Sequence, residues 1–100
     1  MKPSDLRVSV LLGMQRALLG CIGPAVRKIM CRWNEREVLA RVVFDGEKGK
    51  VDAEAMSEAE TEMMADFPNH TVSLKLERCD SPAKITQSRD EQTVFSRLES

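Results

Sequence analysis

The chain has 100 residues, of which 42% are apolar and 31% charged, and its formal net charge is −1. This length predicts a single domain, 1–100, with one core, and the apolar content excludes disorder from end to end. Because the net charge is close to zero, it gives no indication of a nucleic-acid or membrane partner.

The first predicted element is an amphipathic helix that begins at Ser4 or Asp5 and runs to about Gly20. Both Ser4 and Asp5 are good N-cap residues, because a short side-chain oxygen accepts hydrogen bonds from the unpaired backbone N–H groups. Helical spacing predicts an apolar face made of Leu11, Met14, Leu18, Cys21 and Ile22, widened by Val8, Val10 and Leu12.

The location and redox state of the protein are inferred from the same region and from the cysteines. Arg7 and Arg16 make the N-terminal apolar stretch too polar for a membrane span, and it lacks the regions of a signal peptide. The chain has an odd number of cysteines, and none lies in the paired spacing of a zinc site: Cys21, Cys31 and Cys79. We therefore expect a cytoplasmic protein with reduced thiols and no metal or other cofactor.

A β-hairpin is predicted next, with strands at residues 26–33 and 36–44 and a turn at Asn34 and Glu35. In the second strand, alternation places Val38, Ala40, Val42 and Phe44 on one face and Leu39, Arg41 and Val43 on the other. Two mostly apolar faces indicate an interior strand that is covered on both sides.

The second half of the chain adds a helix and two strands. The helix is predicted over 51–67, and Pro68 ends it; its apolar stripe consists of Val51, Ala55, Ala59, Met63 and Phe67, with Met56 and Met64 beside it. Residues 71–77 alternate as a half-buried strand with Val72, Leu74 and Leu76 inward, so Met63 and Leu74 are both expected to be buried. Residues 79–92 are polar and irregular, and 93–98 form a short last strand.

Together these elements predict an α+β fold of order α-β-β-α-β-β. Two helices on one face of a mainly antiparallel sheet of about four strands is the simplest arrangement that buries every apolar stripe.

The least ordinary feature of the sequence is the segregation of its charges. Residues 45–66 contain eight acids and two bases, a net charge of −6, whereas residues 1–44 contain eight bases and three acids, a net charge of +5. Four of the acids recur every fourth residue along the second predicted helix, and we call them the acid row: Glu54, Glu58, Glu62 and Asp66. Like charges at this spacing destabilise a helix, so stability alone does not explain them.

Two interpretations of the acid row follow. It is either a solvated helix face whose acids pair with basic side chains of the hairpin, or an anionic surface for a basic partner protein. On the second interpretation, Asp45 and Glu47 extend the partner-binding surface formed by the acid row.

Catalytic and nucleic-acid signals are weak. His70 is the one histidine, and a Cys–His pair with Cys31 or Cys79 would support a small enzyme only as a remote alternative. Alternation divides the basic residues of the hairpin between two faces, which disfavours a continuous nucleic-acid surface: Arg27, Lys28, Arg32, Arg36 and Arg41.

Two segments resemble a known class of protein. These are Val42-Val43-Phe44-Asp45-Gly46-Glu47 with the acidic block 52–68, and 11–19 within the helix–hairpin–helix–strand layout. The resemblance covers most of residues 6–76 and is to the small bacterial immunity proteins of contact-dependent growth inhibition systems. It implies a cytoplasmic, non-catalytic protein that binds and neutralises a cognate toxin domain, often a nuclease.

The sequence thus predicts an immunity protein whose acidic helix binds a toxin with a basic surface, without direct contact to nucleic acid or membrane. The alternative is a non-catalytic subunit or adaptor of another intracellular complex, including a homodimer held through apolar strand surface.

Overall fold

The computed structural model describes residues 3–99, and their side chains from residue 4 onward. It contains two α-helices and four β-strands in the predicted order: α1 Pro3–Leu18, β1 Val26–Trp33, β2 Glu37–Phe44, α2 Lys50–Asp66, β3 Thr71–Arg78 and β4 Gln92–Ser96. The predicted α+β class and the order α-β-β-α-β-β are confirmed.

The four strands form one mixed sheet in the order β3-β2-β1-β4. β1 pairs antiparallel with both β2 and β4, whereas β2 and β3 are parallel and are joined by α2. A parallel pair needs a crossover connection of this length, and a helix usually supplies it. The sheet is therefore mainly antiparallel, as predicted, and β2 is an interior strand.

The core lies between the helices and one face of the sheet. The buried residues of α1 are Val10, Met14, Ala17 and Leu18, and those of α2 are Met56, Ala59 and Met63, followed directly by Phe67. The sheet contributes, among others, Ile29, Cys31, Val38, Ala40, Val42, Phe44 and Val72. The two helices are in close contact at Gly13, where an added Cβ atom would lie 3.4 Å from the sulfur of Met63 and 3.1 Å from the ring of Phe67, which directly follows α2.

Several predicted core residues lie elsewhere. On α2, Val51 is 79% exposed and Met64 is 46% exposed, because the buried stripe follows the mixed three- and four-residue steps of an α-helix. On α1, Val8 and Leu12 are about half exposed, so they do not widen the buried face. Leu74 is only partly buried, since β3 lies at an edge of the sheet.

The opposite face of the sheet has no helix and is covered by the long segment between β3 and β4. Arg41, at the centre of β2, donates to the backbone oxygen of Thr86 and to both carboxylate oxygens of Glu91. This segment explains why β2 is covered on both sides, and Met30 and Val43 are buried beneath it.

Two bulges interrupt the pairing of β1. Arg27 is the extra residue between the pairs Val26↔Phe44 and Lys28↔Val43, and Val94 is the extra residue between Phe95 and Thr93, which pair with Ile29 and Met30. A bulge changes the direction of the side chains beside it, and both bulges matter for the surfaces described below. Among residues 3–99, no helix has the length and apolarity that crossing a membrane requires.

Met63 and Met64 are neighbours on α2 with opposite environments, and they test the orientation of this helix. Met63 is fully buried and Met64 is half exposed. We expect Met63→Ala to lower the free energy of unfolding by about 2–5 kcal/mol because it leaves a cavity, and Met64→Ala to change it by about 0.5 kcal/mol or less. Urea denaturation of both variants measures this difference. Equal losses would show that the helix is rotated from the orientation described here.

Candidate partner-binding surface

The acid row lies on the outer side of α2, and all four of its side chains are exposed. Successive members of an i,i+4 series rotate slowly around a helix, so the row passes from the solvent-facing side at Glu54 toward α1 at Asp66. There Asp66 lies 3.8 Å from the guanidinium of Arg16, which is itself two-thirds exposed. Such an exposed ion pair contributes little stability.

Cys21, in the segment that follows α1, lies near Glu58 and Glu62 of the acid row. Burial raises the pKa of the Cys21 thiol, and the negative charges of Glu58 and Glu62 raise it further. The thiol donates a hydrogen bond to the backbone oxygen of Ala17. The middle of the acid row is therefore close to the end of α1.

The basic side chains of the hairpin do not neutralise the acid row. Arg27 pairs with Glu99, Arg32 with Asp90, and Arg41 with both Glu77 and Glu91. These acids belong to β3, to the segment after it and to the C-terminal end of the chain. The interpretation in which hairpin bases pair with the acids of α2 is therefore wrong, and within residues 3–99 Glu54, Glu58 and Glu62 form no salt bridge.

Arg27 is a charged residue that is buried, at 5% exposure. Its guanidinium donates to the backbone oxygens of Cys79 and Ala83 at 2.6 and 2.9 Å and forms a two-point contact with Glu99. The bulge in β1 directs this side chain toward the segment after β3. One side chain thus fixes the start of that segment and the C-terminal end of the chain.

Asp45 and Glu47, which the sequence places beside the acid row, differ in their surroundings. Asp45 accepts hydrogen bonds from Arg97 at 2.9 Å and from the backbone N–H of Ser81 at 3.1 Å. The hydrogen bond from Arg97 is the main reason that the pKa of Asp45 is lowered, and the bond from Ser81 adds to it. Asp45 is therefore engaged inside the molecule, whereas Glu47 is exposed.

The charged contact between Arg41 and Glu91 has a similar role on the far side of the sheet. The side chain of Glu91 is 5% exposed. Burial alone would raise its pKa, but hydrogen bonds from the backbone N–H of Ser88 and from Arg41 outweigh that effect and lower it. Glu91 is thus held in the charged form.

An apolar groove lies beside this surface, between α1 and the edge strand β4. We call it the α1–β4 groove; it has a volume of about 600 Å³ and is lined by Leu12, Gln15, Arg16, Leu18, Leu19, Gly20, Ile22, Val94 and Phe95. Sequence reasoning missed it, because its floor depends on which strand lies at the edge. The signal available in the sequence is the adjacent apolar pair Val94 and Phe95 in an otherwise polar strand.

Comparison with protein families decides the class of protein. Residues 7–99 match the model of a family described as MafI2 immunity protein. The chain belongs to this family. It is therefore an immunity protein of the toxin–immunity type, which confirms that part of the resemblance in the sequence. A comparison with curated proteins gives no match.

The surroundings of His70 and Cys31 bear on the enzyme alternative. The Nε2 atom of His70 is buried without a hydrogen-bond partner in the described part of the chain. The centroid of its ring lies 5.6 Å from that of Phe67, and the two rings are nearly perpendicular. Burial raises the pKa of the Cys31 thiol to about 12, whereas a nucleophilic cysteine needs a lowered pKa. No group of three or more metal-ligating side chains was found in residues 3–99.

The contact between Arg27 and Glu99 predicts how stability depends on pH. The hydrogen bond from Arg27 holds the pKa of Glu99 at about 2, below its ordinary 4.5. A depressed pKa contributes stability that is complete above the ordinary value and is lost as the pH falls toward 2. We expect Glu99→Gln to unfold at a lower temperature than wild type at pH 7, and the difference to shrink between pH 5 and pH 2.

Thermal unfolding across this pH range tests the prediction, with the exposed Glu47→Gln as the matched control. The control should follow the wild-type curve. A difference between Glu99→Gln and wild type that stays constant with pH would contradict the role given to this ion pair.

Proposed function

We propose that this immunity protein binds and neutralises a cognate toxin domain in the cytoplasm, and that the acid row contacts a basic surface of the toxin. Family membership supports a toxin partner. The observation that carries the finer proposal is the charge arrangement: the hairpin bases pair with C-terminal acids, which leaves Glu54, Glu58 and Glu62 exposed and without an ion pair in the described chain.

The physical argument for the acid row is that it opposes helix stability. Glu54 to Glu58 and Glu58 to Glu62 are i,i+4 pairs of like charge, and Glu62 lies toward the negative end of the helix macrodipole, where acids are unfavourable. The last turn of α2 contains no basic residue. A surface that costs stability and remains exposed is suited to steering a cationic protein.

A basic toxin surface suits a nuclease, because an enzyme that acts on nucleic acid must bind a polyanion. On this proposal the acid row occupies the surface that would otherwise bind phosphates. We also propose that the toxin belongs to a contact-dependent growth inhibition system. Asp45 lies outside the proposed contact, since its carboxylate already binds Arg97 and Ser81, whereas Glu47 extends the contact.

Reversing two charges of the acid row tests the proposal. Glu58→Lys/Glu62→Lys should weaken binding to the toxin domain encoded by the neighbouring gene by about 2–5 kcal/mol. Association should also slow, and wild-type affinity should fall as salt rises, since exposed charges are screened beyond about 8 Å. The fold should be as stable as wild type or more so, because like-charge repulsion is removed.

Titration calorimetry at low and high salt provides the measurement. Asp5→Lys/Glu35→Lys is the matched control, because it changes net charge by the same amount at two exposed acids outside α2. Equal affinities for both double variants would place the contact elsewhere. If wild type itself fails to bind the toxin domain, the chain acts instead as a subunit or adaptor of another complex.

A further inference from the structure

The floor of the α1–β4 groove is made by a bulge. Phe95 pairs with Ile29 and so faces the helices, whereas Thr93 pairs with Met30 and faces the opposite side of the sheet. Val94, the extra residue, also packs against the core beneath the helices. Two consecutive apolar side chains therefore lie on the helix side of the last strand, which regular alternation does not allow.

The wall of the groove is apolar and exposed. Leu12 of α1 is 51% exposed, and Leu19, which directly follows α1, is 78% exposed; both line the groove. The outer side of α2, in contrast, presents the acid row. An exposed apolar patch that adjoins a charged surface is typical of a protein interaction site, in which the apolar part becomes the buried centre.

The two edges of the sheet differ in their exposure. At the β3 edge, Glu60 accepts a hydrogen bond from the backbone N–H of Leu74 at 2.8 Å, and Lys48 donates to the backbone oxygen of Leu76 at 3.4 Å. Such side chains block the pairing of another strand. Among residues 4–99 no side chain forms a hydrogen bond to the backbone of residues 92–96, so the β4 edge lacks side-chain blocks of this kind.

The charges around the groove distinguish between possible occupants. Arg16 lines the groove, Arg7 donates to Gln92 at the start of β4, and no acid is among the lining residues. A second copy paired antiparallel along β4 would place the two α1 helices side by side, with Arg7 and Arg16 of each copy facing the same two arginines. Like charges in such an arrangement oppose a homodimer.

We propose that the α1–β4 groove takes an extended apolar segment of the toxin, which pairs with the open edge of β4 and inserts an apolar side chain between Leu12 and Phe95. The main chain of such a segment provides affinity and its alternate side chains provide specificity. The side chain that faces Arg16 is neutral or acidic. This inference rests on the proposed function and adds an apolar centre to the contact of the acid row.

The test uses two exposed side chains in the groove and a matched pair outside it. Leu12→Ser/Leu19→Ser should weaken binding to the toxin domain by about tenfold or more, with an unchanged thermal midpoint. Met64→Ser/Leu98→Ser is the control, because both residues are exposed apolar residues outside the groove and the acid row, and Met64 is about as exposed as Leu12. The control should bind like wild type.

Two results would overturn the proposal while leaving the toxin-binding function intact. One is equal affinity of the groove variant and wild type for the toxin domain. The other is sedimentation showing a concentration-dependent dimer of wild type that Leu12→Ser/Leu19→Ser abolishes, which would assign the groove to a second copy. Failure of wild type to bind the toxin domain would overturn the proposed function as well.

Discussion

The pairing of sheet arginines with C-terminal acids determines both the architecture and the surface of this protein. Arg27 and Arg41 hold the segment after β3 and the C-terminal end against the face of the sheet that has no helix. That face contains Met30 and Val43, which are buried only because the segment covers them. The same pairing removes the bases that could have neutralised α2, so the structural role of the arginines leaves Glu54, Glu58 and Glu62 exposed and without an ion pair in the described chain.

Local patterns in the sequence predicted most of the fold. All six elements were predicted from patterns among neighbouring residues: the helical period in α1 and α2, alternation in β2 and β3, the hairpin turn that bounds β1, and the apolar residues of β4. The errors arose where position depends on distant contacts. Val51 fits a four-residue repeat and Met64 was placed beside it, but both lie off the buried stripe. Leu74 is only partly buried because β3 is an edge strand. The parallel pairing of β2 with β3 follows from the α2 crossover and was not specified.

The candidate surface was likewise predicted only in part from the sequence. The acid row could be predicted because its spacing repeats within one helix, and the family match supports the toxin partner that the resemblance implies. The ion pair between Asp45 and Arg97 could not be predicted, since the two residues are far apart in the sequence and come together only in the folded chain. The α1–β4 groove was missed for the same reason: it depends on strand order and on the extra residue at Val94.

On the proposed function, the toxin engages α2 while the sheet arginines keep their internal partners. Heteronuclear NMR of the labelled chain, titrated with the toxin domain, tests this directly, because backbone amides and the Nε–H groups of Arg27 and Arg41 are observed together. We expect the signals of residues on the outer side of α2 to shift when the toxin domain is added, and both arginine Nε–H signals to stay in place. Shifts of the arginine signals, with α2 unaffected, would contradict it.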